Sequence, residues 1–130
     1  MKLNERIIGT FEGSTKGPLL IVLAGIHGNE SAGILALEQL FRMLKKEPEK
    51  NPSFKFIGKI LGLRGNLRAI ATNQRFINKD LNRQWTSKNI ERVTTTSKSE
   101  LDAEDLELRD LIQMIRSEVL KYQPDELILL

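Results

Sequence analysis

The chain has 130 residues, 40% of them hydrophobic, which is enough to bury one sizeable core, so we expect a single domain. Its formal net charge of +3 is spread over interspersed acidic and basic residues, which excludes a polybasic nucleic-acid arm, and no apolar run approaches the ~18 residues of a membrane-spanning helix. The absence of cysteine excludes a disulfide framework and a thiolate nucleophile, and with no signal peptide visible at the amino terminus we expect a cytoplasmic protein.

The first half of the chain predicts a strand, a second strand, a helix and a third strand. Ile7–Phe11 and Leu19–Ala24 are apolar runs bounded by turn residues, which is typical of strands. Residues 30 to about 46 predict a helix ended by Pro48, because apolar residues recur there at a spacing of three and four. These apolar residues are Ile34, Leu37, Phe41 and Leu44. Residues 54–63 alternate in part and predict the third strand.

The second half of the chain begins with polar segments and ends in a helix and a strand. Ser87–Ser99, rich in threonine and charge, predicts a mobile excursion. Leu101–Tyr122 predicts a long amphipathic helix stopped by Pro124, and residues 125–130 predict a final buried strand. This order predicts an α/β layered fold with a mostly parallel or mixed sheet flanked by helices, in which ligands bind beyond the carboxyl ends of the strands.

His27, the only histidine, precedes Glu30 by three residues at the junction between a predicted strand and a predicted helix. An imidazole and a carboxylate at such a junction can face one point beyond the end of the strand. Zinc suits that point, because a catalytic zinc site uses three protein ligands, including His nitrogen and carboxylate oxygen, plus a water. The chain visibly supplies two ligands, so a third is an unidentified Asp or Glu or lies outside this sequence. The alternative is that His27 is a loop residue and Glu30 a favourable first-turn acid.

A second cluster, residues 73–85, contains two arginines, several amide side chains and the only tryptophan. Arg83 presents a planar fork that matches a carboxylate, and Asn82 beside it adds a neutral donor, so the pair predicts a carboxylate clamp. Arg75 can instead polarise a carbonyl oxygen and stabilise the oxyanion that forms when water attacks it. The alternative is that Asp80 and the arginines form a structural ion-pair network while Trp85 packs in the core.

Together the two clusters resemble the succinylglutamate desuccinylase and aspartoacylase family of zinc hydrolases, which is related to the zinc carboxypeptidases. The family's first motif, Gly-x-His-Gly-Asn-Glu, stands unchanged at Gly25–Glu30, and its second motif matches Asp80–Arg83. The resemblance implies zinc as cofactor with His27 and Glu30 as ligands, and Arg75 as the catalytic residue that polarises the carbonyl. It also implies that Asn82 and Arg83 bind the substrate's carboxylate.

The fold implied by the resemblance is zinc-carboxypeptidase-like. The implied reaction is hydrolysis of the amide bond of an N-acyl amino acid, or of a similar small carboxylate-bearing substrate, by a metal-activated water. Neither nucleic acid nor a membrane is expected as a partner, and homo-oligomer formation is left open.

The chain departs from the family pattern in two places. Leu67 stands where relatives commonly have proline after the asparagine, which removes a restraint on φ but no reactive group. The third zinc ligand, a histidine after the strand that follows the long helix, and the later catalytic glutamate are absent. We therefore expect residues 1–130 to be the amino-terminal portion of a larger catalytic domain that alone binds zinc weakly and hydrolyses nothing.

Two non-enzymatic alternatives stay open. An anion-binding module would use the backbone amides of residues 25–29 together with Arg75 and Arg83 and would need no metal. A partner-binding fragment would use the free edge of the final strand for pairing.

Overall fold

A computed structural model describes residues 5–130, and a four-stranded sheet lies at their centre. The strands are β1 (Ile7–Glu12), β2 (Thr15–Ala24), β3 (Ile57–Arg64) and β4 (Leu127–Leu129), in the spatial order β1-β3-β2-β4. Strands β2, β3 and β4 run parallel, whereas β1 pairs antiparallel with β3 at one edge. The predicted α/β fold with a mostly parallel or mixed sheet is therefore confirmed.

The described residues also form four α-helices beside the sheet. They are α1 (Ala32–Lys50), α2 (Leu67–Ala71), α3 (Ser87–Thr95) and α4 (Ala103–Tyr122), and two short 3-10 turns cover Leu81–Arg83 and Lys98–Glu100. None of the described helices is both long and apolar enough to cross a bilayer. The long crossover from β2 through α1 to β3 is what allows those two strands to run parallel.

Hydrophobic side chains pack on both faces of the sheet, because successive strand residues point to opposite sides. On β2, Leu19 and Ile21 belong to the core beneath α4, whereas Leu20 and Val22 contact the core beneath α1. The core on the α4 side is the larger, because β3, α3, α4 and the 3-10 turn at Leu81–Arg83 also contribute to it. Its other members are Leu61, Leu63, Leu81, Val93, Leu101, Leu108, Leu111, Ile112 and Ile115. The chain is thus a three-layer arrangement of helix, sheet and helix.

Pro48 does not end α1, contrary to the sequence prediction. The helix continues to Lys50, and the backbone N–H of Asn51 donates to the Glu47 carbonyl at 2.8 Å to close its last turn. A proline removes one backbone hydrogen bond and crowds the preceding turn. Only two helical residues follow Pro48, so this disruption falls in the last turn of α1.

The prediction of a mobile excursion at residues 87–99 is wrong. Ser87–Thr95 form α3, whose N-cap Thr86 accepts a hydrogen bond from the Asn89 backbone N–H at 3.2 Å. Val93 is fully buried against α4, and Arg92 donates two hydrogen bonds, at 3.0 and 2.6 Å, to the Asp105 carboxylate. Contacts with α4 therefore order a segment whose own composition favours a loop.

The final strand is present, as predicted. It is not buried, however, so the prediction of a buried final strand is wrong. β4 pairs with β2, and the Leu130 backbone extends the pairing to Ile21 at 2.9 Å and to Leu23 at 2.8 Å. The side chains of β4 are nevertheless exposed, because the strand lies at the edge of the described sheet.

Candidate metal centre

The candidate site lies where β2 and β3 end. Because these strands are parallel, their carboxyl ends meet at the same edge of the sheet. Beyond the strands, the Gly65 N–H donates to the Ala24 carbonyl at 2.7 Å and the Asn66 N–H donates to the Gly25 carbonyl at 2.9 Å. Gly25 has a φ of 73°, a left-handed conformation that suits glycine and turns the chain out of the strand toward His27.

Gly28 joins the two sequence clusters. Its backbone N–H donates to the Arg75 carbonyl at 3.2 Å. A Cβ atom at this position would lie 2.2 Å from the Ala69 carbonyl carbon and 2.4 Å from the Gln74 oxygen, both of which are backbone atoms. Only glycine fits at this position, because a side chain would prevent the loop that carries His27 from contacting the loop that carries Arg75.

His27 contacts one carboxylate with each ring nitrogen. Its Nδ1 lies 3.3 Å from Glu30 Oε2, and its Nε2 lies 3.0 Å from Asp80 Oδ1. The Asp80 contact is shorter, and the Asp80 side chain is 20% exposed against 63% for Glu30. The two ring nitrogens thus face two different carboxylates, and Asp80 is the closer and the more buried of the two.

This donor set fits zinc. A nitrogen ligand at about 2.0–2.1 Å and an oxygen ligand at about 2.0–2.2 Å from a tetrahedral ion are about 3.4 Å apart. His27 Nδ1 and Glu30 Oε2 are 3.3 Å apart. Histidine ligands of metals usually donate their other ring N–H to a carboxylate, and here Nε2 faces the Asp80 carboxylate.

Asp80 is a functional candidate whose role the sequence interpretation missed. Burial alone would raise its pKa, but the hydrogen bonds from His27 and from the Asn82 backbone, with the nearby charge of Arg83, bring the pKa below its ordinary value. An ionised Asp80 is a permanent acceptor for His27. The available signal was its position at the head of the Asp80–Arg83 motif, which sequence analysis assigned only to a structural ion-pair network.

Arg75 extends over both carboxylates. One guanidinium nitrogen lies 3.6 Å from Glu30 Oε1 and another lies 3.8 Å from Asp80 Oδ2. The side chain is half exposed. Arg75 can therefore reach a group bound beside His27 while these loose ion pairs keep it near the site.

Asn82 and Arg83 lie in the 3-10 turn that follows Asp80, but only one of them faces the site. Asn82 lines an open cleft of about 490 Å³ together with His27, Glu30 and Trp85, and the remaining lining is Leu23, Ile26, Leu129 and Leu130. Arg83 is exposed and does not line this cleft. The structure thus brings together His27, Glu30, Arg75 and Asn82 and leaves Arg83 beside them.

Three carboxylates near the start of α4 are buried and contact α2, α3 or the loop before Asp80, and the sequence analysis did not single them out. Glu104, Asp105 and Glu107 are each less than 5% exposed. Glu107 accepts a hydrogen bond from the Leu67 backbone N–H and pairs with Arg68. The residue that replaces the expected proline therefore has a backbone donor that a proline would lack, and α4 supplies its acceptor.

A third metal ligand is not found in the part of the chain that the structure describes. Within residues 5–130, no group of three or more His, Cys, Asp or Glu side chains is arranged to hold a metal ion. Asp80 does not supply the third ligand, because it contacts the ring nitrogen opposite to the one that faces Glu30.

Most residues of the candidate site lie within a segment that matches a known protein family. Residues 16–122 match the family model described as the Succinylglutamate desuccinylase/Aspartoacylase catalytic domain. The chain belongs to this family. The match includes both sequence clusters and every residue of the candidate site named above except Leu129 and Leu130.

Two relatives in the desuccinylase/aspartoacylase family illustrate the extent of the similarity. The succinylglutamate desuccinylase of Pseudomonas paraeruginosa is 40% identical over 72 residues, which is 55% of this chain and 20% of that protein. The succinylglutamate desuccinylase of Photorhabdus laumondii is 41% identical over 66 residues, which is 51% of this chain and 19% of that protein. The chain thus spans about a fifth of the length of these relatives.

Solved structures of two desuccinylases share the fold. The succinylglutamate desuccinylase of Chromobacterium violaceum superimposes with a TM-score of 0.56 at 20% identity, over 88% of this chain and 31% of that one. The enzyme of Vibrio parahaemolyticus gives a TM-score of 0.52 at 20% identity, over 81% of this chain and 30% of that one. The fold described above is therefore the fold of one portion of these larger enzymes.

Proposed function

We propose that this chain is the zinc-binding portion of a deacylase that hydrolyses the amide bond of an N-acyl amino acid or a similar small carboxylate-bearing substrate. The observation that carries the proposal is the placement of His27 Nδ1 3.3 Å from Glu30 Oε2, with Nε2 held by Asp80 at 3.0 Å. Family membership supports it, since related proteins are succinylglutamate desuccinylases. N-succinylglutamate and an N-acylated aspartate are accordingly the first substrates to test.

Each side chain of the site has a distinct task in this proposal. His27 and Glu30 hold zinc, and Asp80 fixes the ring of His27 in the orientation that keeps Nδ1 available. When bound, zinc supplies a Lewis acid and lowers the pKa of a coordinated water. Arg75 donates hydrogen bonds to the carbonyl oxygen of the scissile amide, where its permanent charge stabilises the developing oxyanion.

Substrate binding is assigned to the 3-10 turn after Asp80. Asn82 lines the cleft beside His27, so its amide can donate to a substrate carboxylate there. Arg83 adds long-range charge and reaches a carboxylate that projects beyond the cleft. The apolar lining from Leu23, Ile26 and Trp85 suits the aliphatic part of an acyl group.

Residues 5–130 offer two ligands, so we further propose that a third ligand and the general base come from outside this part of the chain. A site with two protein ligands binds zinc weakly, because catalytic zinc sites use three. A cytoplasmic location and homo-oligomer formation stay predictions from the sequence.

Zinc titration of the purified chain tests the metal assignment. Competition with a chromogenic chelator should give a weak stoichiometric site that is lost in Glu30→Ala and retained in Glu49→Ala. Glu49 is the matched control, because it is also an exposed glutamate but lies in the last turn of α1. If His27→Ala binds zinc as tightly as the unaltered chain, the assignment is wrong. Anion affinity that is independent of both zinc and His27 would favour the anion-binding module.

A substrate comparison tests the carboxylate clamp in a deacylase that carries this chain. Arg83→Ala should raise KM and lower kcat/KM for N-acyl amino acids while leaving the corresponding carboxamides nearly unaffected. An equal loss on both substrates would contradict the clamp.

A further inference from the structure

Glu104, in the first turn of α4, is fully buried beneath the loop that carries Arg75 and Asp80. Its carboxylate accepts hydrogen bonds from three consecutive backbone N–H groups, those of Ile77 at 2.9 Å, Asn78 at 2.7 Å and Lys79 at 3.1 Å. A fourth donor, Asn66 Nδ2, lies 2.8 Å away. One carboxylate thus binds both the backbone of the loop after Arg75 and the side chain of Asn66, the N-cap of α2.

The loop buries little apolar surface between its two ends. Residues 71–78 are exposed, including the large hydrophobic side chains of Phe76 and Ile77, each 38% exposed. At one end the Arg75 carbonyl accepts from Gly28, and at the other Leu81 is fully buried in the core. With so little apolar burial between these points, the backbone path depends on hydrogen bonds to α4.

The surroundings of Glu104 are arranged to keep it charged. Burial by itself raises its pKa, but the hydrogen bonds from Asn66 and from the three backbone N–H groups outweigh burial and hold the pKa below its ordinary value. Its position at the amino-terminal end of α4 adds the favourable field of the helix dipole. A charged acceptor forms stronger hydrogen bonds than a neutral one.

Neighbouring contacts hold the same stretch of loop against α4. The Asn78 side-chain oxygen accepts a hydrogen bond from the Ala103 backbone N–H at 3.0 Å. The Lys79 ammonium lies 2.6 Å from Asp105 and 3.0 Å from Asp102. The next residue is Asp80, so the end of this held stretch sets where the Asp80 carboxylate meets His27.

We propose that Glu104 is a positioning residue of the site, acting through the backbone of residues 77–79 to place Asp80 against His27 and Arg75 over Glu30. Its importance for hydrolysis rests on the proposed function, whereas its effect on His27 does not. A carboxylate is needed for this task, because all of its partners are donors and a glutamine would turn an N–H group toward some of them.

Glu107 is a matched control. It lies one turn further along α4, is 1% exposed, and also accepts a backbone hydrogen bond. Its partners are Leu67, Arg68 and Arg6, and none of them belongs to residues 77–79. Glu104→Gln and Glu107→Gln therefore remove equally buried charges from the same helix, but only the first change affects the loop before Asp80.

The first measurement is amide hydrogen exchange in the unaltered chain. We expect the N–H groups of Ile77, Asn78 and Lys79 to be protected despite the exposure of their loop. Exchange of these three amides at the rate of an unstructured peptide would overturn the proposal without the need for any variant.

The second measurement compares the two variants at one fixed pH. In Glu104→Gln the three loop amides should exchange about 10- to 100-fold faster, as expected for the loss of hydrogen bonds to a charged acceptor. The ring ¹⁵N resonances of His27 should shift as its contact with Asp80 is lost. Glu107→Gln should leave both the loop amides and the His27 ring unchanged while altering the Leu67 amide.

The outcomes separate positioning from general stability and from the proposed function. The positioning role would be overturned if Glu104→Gln speeds amide exchange in the loop but leaves the His27 ring ¹⁵N resonances unchanged. It would also be overturned if both variants shift those resonances equally. Should Glu104→Gln fail to fold, Glu104→Asp keeps the charge and shortens its reach, and the same His27 shift is expected. If the unaltered chain binds no zinc, the proposed function fails while the amide and ring measurements still decide the role of Glu104.

Discussion

Replacing Gly28 with alanine tests the contact that joins the two halves of the site. The new Cβ would lie 2.2 Å from the Ala69 carbonyl carbon and 2.4 Å from the carbonyl oxygens of Ala69 and Gln74. Favourable contacts between carbon atoms lie at about 3.5–4.0 Å, so the two loops must separate by about 1 Å or more. Because the obstructing atoms belong to the backbone, a change of rotamer cannot relieve the overlap.

The expected loss of stability combines two effects. Overpacking a filled site costs about 1–3 kcal/mol. Separating the loops also weakens the hydrogen bond from Gly28 N–H to the Arg75 carbonyl, which contributes about 0.5–1.5 kcal/mol. We therefore expect Gly28→Ala to lower the free energy of unfolding by about 2–4 kcal/mol.

Gly33→Ala is the matched control, since it makes the same chemical change in α1. Its Cβ would lie 3.3 Å from the Ala24 Cβ, a tight contact but not a backbone overlap. Alanine is favoured over glycine inside a helix by about 0.8–1.0 kcal/mol, so this variant should range from neutral to about 1 kcal/mol more stable. Urea denaturation followed by circular dichroism measures both variants. A free energy of unfolding for Gly28→Ala within about 0.5 kcal/mol of the unaltered chain would refute the packing argument.

Three further predictions concern the site and its support. Asp80→Asn should weaken zinc binding about 10- to 100-fold by removing the carboxylate that orients His27, and an unchanged affinity in chelator competition would contradict that role. The hydrogen bonds from Arg92 hold the pKa of Asp105 below its ordinary 3.8, so the stabilisation is complete above that pH and is lost as the pH falls toward the folded-state pKa. The difference in unfolding free energy between the unaltered chain and Asp105→Asn should therefore become smaller as the pH is lowered from about 6 to about 3. A difference that does not change with pH would contradict the stabilising role of the ionised Asp105 carboxylate. Leu81→Ala should cost about 2–5 kcal/mol in urea denaturation, because it opens a cavity at a fully buried position, and a cost below about 1 kcal/mol would show that the turn is loosely packed.

Local patterns in the sequence were sufficient for the elements that bury a regular apolar face. The apolar run of β2, bounded by turn residues, predicts a strand, and the three-and-four spacing in α1 and α4 predicts helices because it matches the period of the α-helix. The Gly25–Glu30 motif likewise predicts that His27 follows the end of a strand, since glycines there end the strand within a few residues. Those predictions depend on neighbours along the chain.

Contacts between distant residues decided the rest. The order of residues 87–95 comes from the burial of Val93 and the pairing of Arg92 with Asp105 of α4, neither of which is visible in the composition of the segment. The exposure of β4 depends on its place at the sheet edge, which its apolar sequence does not specify. For residues 87–95 a partner outside the segment outweighs the local preference, and for β4 the position in the sheet decides the exposure of its side chains.

The same division applies to the candidate site. The sequence by itself determined which residue types are present and that His27 and Glu30 lie close together, because they are separated by one turn of chain. Only the tertiary structure decided that Asp80, 53 residues away from His27, contacts the ring nitrogen opposite to the one that faces Glu30, and that Glu104 accepts hydrogen bonds from the loop between Arg75 and Asp80. The physical reason is that hydrogen bonds between loops and a buried carboxylate depend on where the folded chain brings them together, and no periodicity in the sequence encodes that meeting.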